Sequence, residues 1–522
     1  MNTLAPNLPF QRIGVVGSGA MGRGIAQLFA QAGVPVRLYD ANPAAVASAL
    51  AALHDTFAKL VDKGRLAPDA AQRARASLES VASLEALAGC DLVVEAIVEQ
   101  LDAKRELFQA LEPIVGDAAV LATNTSSLSV TAIGARCRLP ARIAGLHFFN
   151  PVPLMKVVEV VRAMRTDEAA VERLVALVRA TGHRPVVTRD TPGFIVNHAG
   201  RAYGTEALAV LGEGVADVEA IDRILREQVS FDGNGFRLGP FELLDLTALD
   251  VSQPVMESIY RQFYDEPRFR PSVLGAQRLA AGLLGRKSSE GFYRYDAAGA
   301  RVDARAEPAA PSVAVRPPVW IAPGPRAAIV EAAVRQLGGV VRDGDAPGEH
   351  DLVLVAPLGR DASAASRADA AGIPLPAERV VAIDTLFPIE PGRCRRRVLM
   401  TTPATRSEYR DAAHALFASD GVPVTVLRDS PGFVAQRVVA MIVSIGSEIA
   451  QQRIASPADI DAAVRAGLGY PLGPLAMGDA IGAATVCEIL GNLHALTGDP
   501  RYRTGGWLRR RAQLGLSLLH ED

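Results

Sequence analysis

The chain has few residues of the kinds that cross-link a fold, and few of those that anchor one. Its 522 residues include four cysteines, Cys90, Cys137, Cys394 and Cys487, scattered with no Cys-x-x-Cys pair and no histidine at metal-ligand spacing. That pattern excludes a disulfide framework and a zinc site, and it fits reduced thiols in a cytoplasm with no metal. Charge of one sign is also missing: the net charge is −2, which leaves no electrostatic footprint for nucleic acid or an anionic membrane. The start, Met1 to Phe10, lacks a basic segment followed by an apolar one, so no secretory signal is expected. No uninterrupted apolar run approaches membrane-spanning length, and no membrane partner is expected. What remains, 49% hydrophobic and 21% charged, is ordinary globular composition, and the length calls for two to four domains.

The most informative stretch is Gly145-Leu146-His147-Phe148-Phe149-Asn150-Pro151-Val152-Pro153, followed by Lys156-Val157-Val158-Glu159-Val160-Val161. An apolar run, a Pro-rich turn and a β-branched run predict strand, turn, strand. The midpoint between His147 and Glu159 falls at Pro153, within the turn, so a fold-back places the two side chains on neighbouring strands. A carboxylate on one imidazole nitrogen fixes the tautomer and leaves the other nitrogen free to take a proton. Taken alone, the pair also fits a histidine satisfied in a sheet beside a chance glutamate, so the flanking stretches decide.

Upstream, the strand Arg12 to Val16 runs into Gly17-Ser18-Gly19-Ala20-Met21-Gly22, a helix over 20–32, and a second strand, Val34 to Tyr39, ending at Asp40. A glycine turn in that context reads as a dinucleotide site. Gly17 permits the tight turn, Gly19 lets the backbone approach a pyrophosphate, and Gly22 lets helix and strand close up, with the phosphates on the helix N-terminus. Asp40 accepts hydrogen bonds from ribose hydroxyls and repels a 2′-phosphate. Arg37 points along the face of Tyr39 and does not replace it, so the expected cofactor is NAD. Residues 43–82 read as a helical hairpin broken at Gly64 and Pro68, with Lys59 and Lys63 four apart on one face. Strands follow at Asp91 to Ala96, with Glu99 and Lys104 beyond, and at Ala119 to Thr123, ending in Asn124-Thr125-Ser126-Ser127. Ligands gather beyond such strand ends, although Ser126 also fits a helix N-cap.

The predicted domains are 1–190, an α/β dinucleotide-binding domain; 191–295, all helical; 296–318, a linker; and 319–429 and 430–522, a degenerate repeat of both. Ser430-Pro431-Gly432-Phe433 echoes Thr191 to Phe194, and Leu472-Gly473-Pro474-Leu475 echoes Leu238 to Phe241. Asp499-Pro500-Arg501-Tyr502-Arg503 echoes Glu266-Pro267-Arg268-Phe269-Arg270. The repeat has Ala322-Pro323-Gly324-Pro325 where the glycine turn belongs, about Met400 where His147 belongs, and Gln436 where Asn197 belongs.

These motifs resemble the 3-hydroxyacyl-CoA dehydrogenase family. The likeness runs through residues 11–295, from the glycine turn through Asn-Thr-Ser-Ser-Leu, Gly-Leu-His-Phe-Phe-Asn-Pro, Pro-Gly-Phe-Ile-Val-Asn and Gly-Pro-Phe-Glu-Leu-Leu-Asp to Gly-Phe-Tyr. The duplicated second half is similar to long bacterial members, including those that oxidise 3-hydroxyadipyl-CoA in phenylacetate degradation. The resemblance implies a Rossmann domain followed by the family's helical domain, and NAD-dependent oxidation of an (S)-3-hydroxyacyl-CoA to the 3-oxoacyl-CoA in fatty-acid or aromatic-acid β-oxidation. It implies His147 as base with Glu159 as its partner, and Ser126 and Asn197 holding the substrate oxygen. It implies NAD contacts at Asp40, Glu99, Lys104, Asn124, Asn150 and Lys287, and coenzyme A contacts at Lys59 and Lys63. The family has glycine where this chain has Ser289, so the loop of Lys287 is expected to be built differently. Single-copy members pair through the helical domain, so the two copies here are expected to form an intrachain pseudo-dimer, and a homodimer through another surface stays open. The competing readings are a non-catalytic relative of the lens-crystallin kind and another Rossmann hydroxyacid dehydrogenase. Intact His147, Glu159, Ser126 and Asn197 oppose the first, and the Lys59/Lys63 hairpin opposes the second.

Overall fold

Short β-branched runs form the strands, and the helices between them bury one face each. A computed structural model describes residues 8–367 and 374–522, so the expectations for 1–7 and 368–373 lie outside the described residues. The chain divides into two compact units that do not follow the predicted domain boundaries. Of the described residues, the first comprises 8–198, 449–468 and Glu521; the second comprises those of 199–448 and 469–520, with Asp522.

In the first unit β1 (Ile13–Val16), α1 (Ala20–Gln31), β2 (Val36–Tyr39), α2 (Pro43–Asp62) and α3 (Pro68–Ala76) follow the expected order. The hairpin predicted over 43–82 ends early, because Leu78–Ser80 leaves α3 to pair with the open side of β2 as an edge strand, β3. α2 at 20 residues is long and apolar enough to cross a membrane by length and composition, although His54, Asp55 and Lys59 interrupt its apolar run. Its buried residues are Val46, Ala49, Leu53 and Phe57, a helical stripe, and the Asp55–Lys59 pair lies on its exposed side. The chain continues through β4 (Leu92–Glu95), α4 (Leu101–Leu111), β5 (Val120–Thr123), α5 (Val130–Gly134), β6 (Ile143–Phe148), β7 (Val157–Arg162), α6 (Glu168–Ala180), β8 (Arg184–Arg189) and the short helix α7 (Val196–Ala199). The sheet order is β3-β2-β1-β4-β5-β6-β7-β8, with β7 antiparallel to β6 and every other pairing parallel. The edge strand β8 is met by the segment from the second copy: the Arg189 amide donates to the Ile454 carbonyl at 2.8 Å, and the helix Pro457–Leu468 packs against β7 and β8.

The second unit holds a smaller sheet, β9 (Val319–Ile321), β10 (Leu352–Val355), β11 (Val380–Ile383), β12 (Arg397–Thr401) and β13 (Val424–Leu427), in the order β13-β12-β11-β10-β9. Its strand directions correct the sequence reading of the repeat. β12 runs antiparallel to β11 and parallel to β13, which is the relation of β7 to its neighbours and not that of β6. β11, parallel to β10 and antiparallel to β12, stands as β6 does, so the place of His147 falls to Asp384 just beyond it, and Met400 lies on the equivalent of β7.

The Gly-Pro-Phe-Glu-Leu-Leu-Asp and Gly-Phe-Tyr motifs are joined structurally. Asp245 accepts the amides of Phe292 and Tyr293 at 2.9 Å each and the Tyr295 hydroxyl at 3.0 Å, and Gly291 leaves room for its carboxylate. In the repeat, Asp479 accepts the Leu518 amide at 2.7 Å in the same way. The predicted linker is tied down: the Glu307 carboxylate is held by Arg396 at 2.7 and 2.8 Å and by Arg223 at 2.9 Å.

The helical segments of the two copies meet within this unit through reciprocal ion pairs. Arg270 reaches Asp499 at 3.3 Å, and Arg503 reaches Glu266, its repeat partner in the other direction. Deeper in, Arg437 donates to Glu206 at 2.8 Å, to Glu213, and to the Tyr502 hydroxyl at 2.8 Å, with Arg437 and Glu206 almost wholly buried.

Candidate active site

The cofactor end of the site is built by the glycine turn after β1. Gly17 adopts φ +103°, and a Cβ there would lie 2.4 Å from the Ala96 carbonyl oxygen. A Cβ at Gly22 would sit 1.8 Å from the Gly17 oxygen, which is the close helix–strand approach expected. At Gly19 an added Cβ would meet nothing within 4 Å, and Gly19 caps α1 with no side-chain acceptor, so the amides of Ala20 and Met21 open onto space. Asp40 follows β2 and accepts the Ser18 amide and hydroxyl at 2.8 Å each and the Asn42 amide at 3.0 Å. Burial acts to raise its pKa, but the bonds from Asn42 and Ser18 outweigh it and hold the carboxyl below its ordinary value. Arg37 is committed elsewhere, to Glu79 at 3.0 Å and the Ala86 carbonyl at 2.7 Å.

Beyond β4 and β5 lies a carboxylate network that sequence reading found only in part. Glu99 accepts the Thr125 hydroxyl at 2.6 Å and the amides of Ser126 and Ser127 at 3.0 and 3.1 Å, which fixes the Asn124–Ser127 turn. Burial pushes Glu99 up, and the Thr125 bond and the Lys104 charge bring it below the ordinary carboxylate range. Lys104 departs from expectation: at 1% exposure it lies beneath the crevice, paired with Glu95 and Glu99, and does not open onto it. Glu95, Thr123 and Thr125 were missed. The available signal was a carboxylate ending the apolar strand Leu-Val-Val-Glu, where a charge needs a buried partner. Ser129, not Ser126, caps α5, accepting the Ala132 amide at 3.1 Å, which leaves the Ser126 hydroxyl outside the capping role. The Asn124 side-chain oxygen accepts the Phe148 amide at 2.9 Å and so ties this turn to β6. Asn150 is exposed at the end of the same strand.

His147 and Glu159 stand directly opposite each other on antiparallel β6 and β7. Glu159 Oε2 meets His147 Nδ1 at 2.6 Å, and Glu159 Oε1 accepts the amides of Ile195 and Val196 at 2.9 Å each. Glu159 is 0% exposed and His147 5%. A carboxylate accepts only, so Nδ1 carries the proton and the free lone pair is on Nε2. The rings of Phe149 and Phe194 lie 4.4 and 5.8 Å from the imidazole centroid and restrict water there. α7 brings Asn197 to the same place, where its amide nitrogen donates to the Ser126 carbonyl at 3.4 Å. Dyad, Ser126 and Asn197 thus converge within the first unit.

Lys59 and Lys63 lie at the exposed end of α2, Lys59 paired with Asp55 at 2.6 Å. Lys287 belongs to the second unit and is paired there with Asp250. Ser289 takes φ +62°, a left-handed conformation that suits glycine, so the serine keeps the turn at some strain. Among the described residues no cluster of His, Cys, Asp and Glu is placed to hold a metal ion.

Residues 12–191 match the model of the 3-hydroxyacyl-CoA dehydrogenase NAD-binding domain, and residues 193–295 and again 432–517 match that of the family's C-terminal domain. The chain is 38% identical over 511 residues to 3-hydroxyadipyl-CoA dehydrogenase of Escherichia coli (strain K12), covering 97% of this chain and 98% of that one. It is 38% identical over 284 residues to a probable 3-hydroxybutyryl-CoA dehydrogenase of Deinococcus radiodurans, covering 54% of this chain and 100% of the relative. Among solved structures, a 3-hydroxybutyryl-CoA dehydrogenase from Escherichia coli K12 superposes with a TM-score of 0.82 at 35% identity, covering 97% of this chain and 98% of that one.

Proposed function

The chain belongs to the 3-hydroxyacyl-CoA dehydrogenase family and is an NAD-dependent oxidoreductase of hydroxyacyl-CoA, and from that premise we propose that His147 is the general base in the oxidation of an (S)-3-hydroxyacyl-CoA by NAD to the 3-oxoacyl-CoA. The observation that carries this reading is the buried His147–Glu159 pair, with Nε2 as the acceptor and Glu159 held by two backbone amides. His147 Nε2 takes the proton of the substrate's C3 hydroxyl, and Glu159 stabilises the imidazolium so formed. The Ser126 hydroxyl and the Asn197 amide act as donors to the oxygen while charge develops on it. The nicotinamide, when bound, supplies the acceptor for the C3 hydride. Gly17, Gly19, Gly22 and Asp40 orient the cofactor, as do Asn124, Asn150 and Glu99, the last backed by Lys104. Lys59 and Lys63 meet the coenzyme A phosphates at the end of α2.

The relatives named above are called 3-hydroxyadipyl- and 3-hydroxybutyryl-CoA dehydrogenases, so the reading spans short and ω-carboxylated acyl groups, within fatty-acid or aromatic-acid β-oxidation. NADH formation across (S)-3-hydroxybutyryl-, long-chain and ω-carboxylated 3-hydroxyacyl-CoAs tests it. Turnover of at least one class is expected, and no turnover of any would end the reading. The reciprocal pairs Arg270–Asp499 and Arg503–Glu266 further support a pseudo-dimer of the two helical copies, each residue contacting the repeat of its partner as in an isologous interface.

A further inference from the structure

The second copy has no histidine at the place of His147, yet part of it lies against the first copy's catalytic residues. Within the first unit the helix Pro457–Leu468 packs along β7 and β8, anchored by the Arg189 amide on the Ile454 carbonyl at 2.8 Å. In its last turn Gly467 faces Val196, and a Cβ on Gly467 would lie 3.0 Å from both Val196 γ-carbons. Val196 is fully packed, donates its amide to Glu159 Oε1 at 2.9 Å, and precedes Asn197 in the chain. Displacing Val196 therefore disturbs two things at once: the carboxylate that orients His147, and the amide that faces the substrate oxygen. We propose that Gly467 of the degenerate copy is a positioning residue for the first copy's active site, its missing side chain setting where Val196, and through it Glu159 and Asn197, can sit.

The helix position argues that the glycine is kept for this contact. Gly467 is inside a helix and needs no left-handed backbone, so alanine there would favour the helix, and a glycine inside a helix weakens it. The contact with Val196 is the reason the structure offers for tolerating that weakness.

The inference rests on reading His147 and Glu159 as the catalytic pair, and the experiment separates the two. Gly467→Ala, Gly467→Val and each combined with Val196→Ala are compared in the full chain for kcat, for KM of NAD and acyl-CoA, and for thermal midpoint. Gly467→Val is expected to lose roughly 10²-fold in kcat, the scale of an ångström-sized misplacement, with both KM values within about twofold. Gly467→Ala, which needs a shift of only tenths of an ångström, loses less while its thermal midpoint holds or rises. Val196→Ala restores either variant, because the methyl groups removed make room for the one added. Wild-type kcat in Gly467→Val, or a loss that Val196→Ala does not recover, would overturn the proposal. If Gly467→Val does not fold, the alanine pair gives the same comparison. Full activity of His147→Ala would instead remove the underlying assignment, whatever the Gly467 variants do.

Discussion

Glu159 concentrates the constraint in this site: both its oxygens are taken, one by the imidazole and one by two amides, and none of it reaches solvent. In the proposed reading its work is to hold a proton on Nδ1 and a ring in place, so the two members of the dyad should fail differently. His147→Ala is expected to lose roughly 10²–10⁴-fold in kcat, while an NADH fluorescence titration still shows binding. Glu159→Gln should lose less, because it takes no proton from the substrate; a loss as large as that of His147→Ala would give it a share in the proton transfer. At the cofactor end, Asp40→Ala is expected to raise the KM for NAD and to narrow the preference over NADP. It should not reverse it, since Arg37 is held by Glu79 and the Ala86 carbonyl and supplies no 2′-phosphate site. Equal kcat/KM for NAD and NADP in the unaltered protein would contradict the role given to Asp40.

At the scale of elements, the hairpin of His147 and Glu159 was legible because three signals agreed: an apolar run followed by a β-branched one, a Pro-rich turn between them, and a midpoint at Pro153. The opposition of His147 and Glu159 followed from register alone. Other elements carried no such agreement. β3 is three residues leaving an Ala-rich helix, and only the unpaired side of β2 makes it a strand. The run over 397–401 is equally apolar whichever strand it replaces, and its direction, which gives it the place of β7 and moves Met400 away from the place of His147, is a property of pairing that composition does not encode. Lys104 looked like a lysine at a helix start; the two carboxylates that draw it inward come from separate segments. The buried Arg437–Glu206 pair offers a test at this scale. Arg437→Met leaves the buried Glu206 with only Arg501 at 3.7 Å and the Tyr502 hydroxyl at 2.7 Å and is expected to lower unfolding free energy by up to about 3–5 kcal/mol, read by urea denaturation. Arg437→Met with Glu206→Met should recover much of it, whereas neutralising the more exposed Arg270 should cost about 0–1 kcal/mol.

For the whole molecule, one chemical site per chain is expected. The second copy has prolines on either side of its one remaining turn glycine, which removes backbone donors from the phosphate position, and it has Asp384 in the place of His147. Calorimetric titration should therefore return one NAD per chain, and two equivalent sites would show that the second copy still binds cofactor. A fragment ending near Asp296 should lose both the pairing of the helical copies and the cover over β8, and should aggregate or homodimerise in light scattering. A monodisperse, fully active monomer of that fragment would show that the second half contributes neither.

The borrowing of residues 449–468 by a unit whose other residues end at 198 also has a meaning in time. Some 250 residues separate the two pieces, and at translation rates of about 5–20 residues per second the later piece emerges roughly 10–50 s after the earlier one. For that interval the nascent chain already holds His147, Glu159, Ser126 and its glycine turn, but presents β8 as an unprotected edge and Val196 without its neighbour. On the ribosome the first copy is chemically spelled out long before it is conformationally finished, and that interval is when holding chaperones have the most to protect.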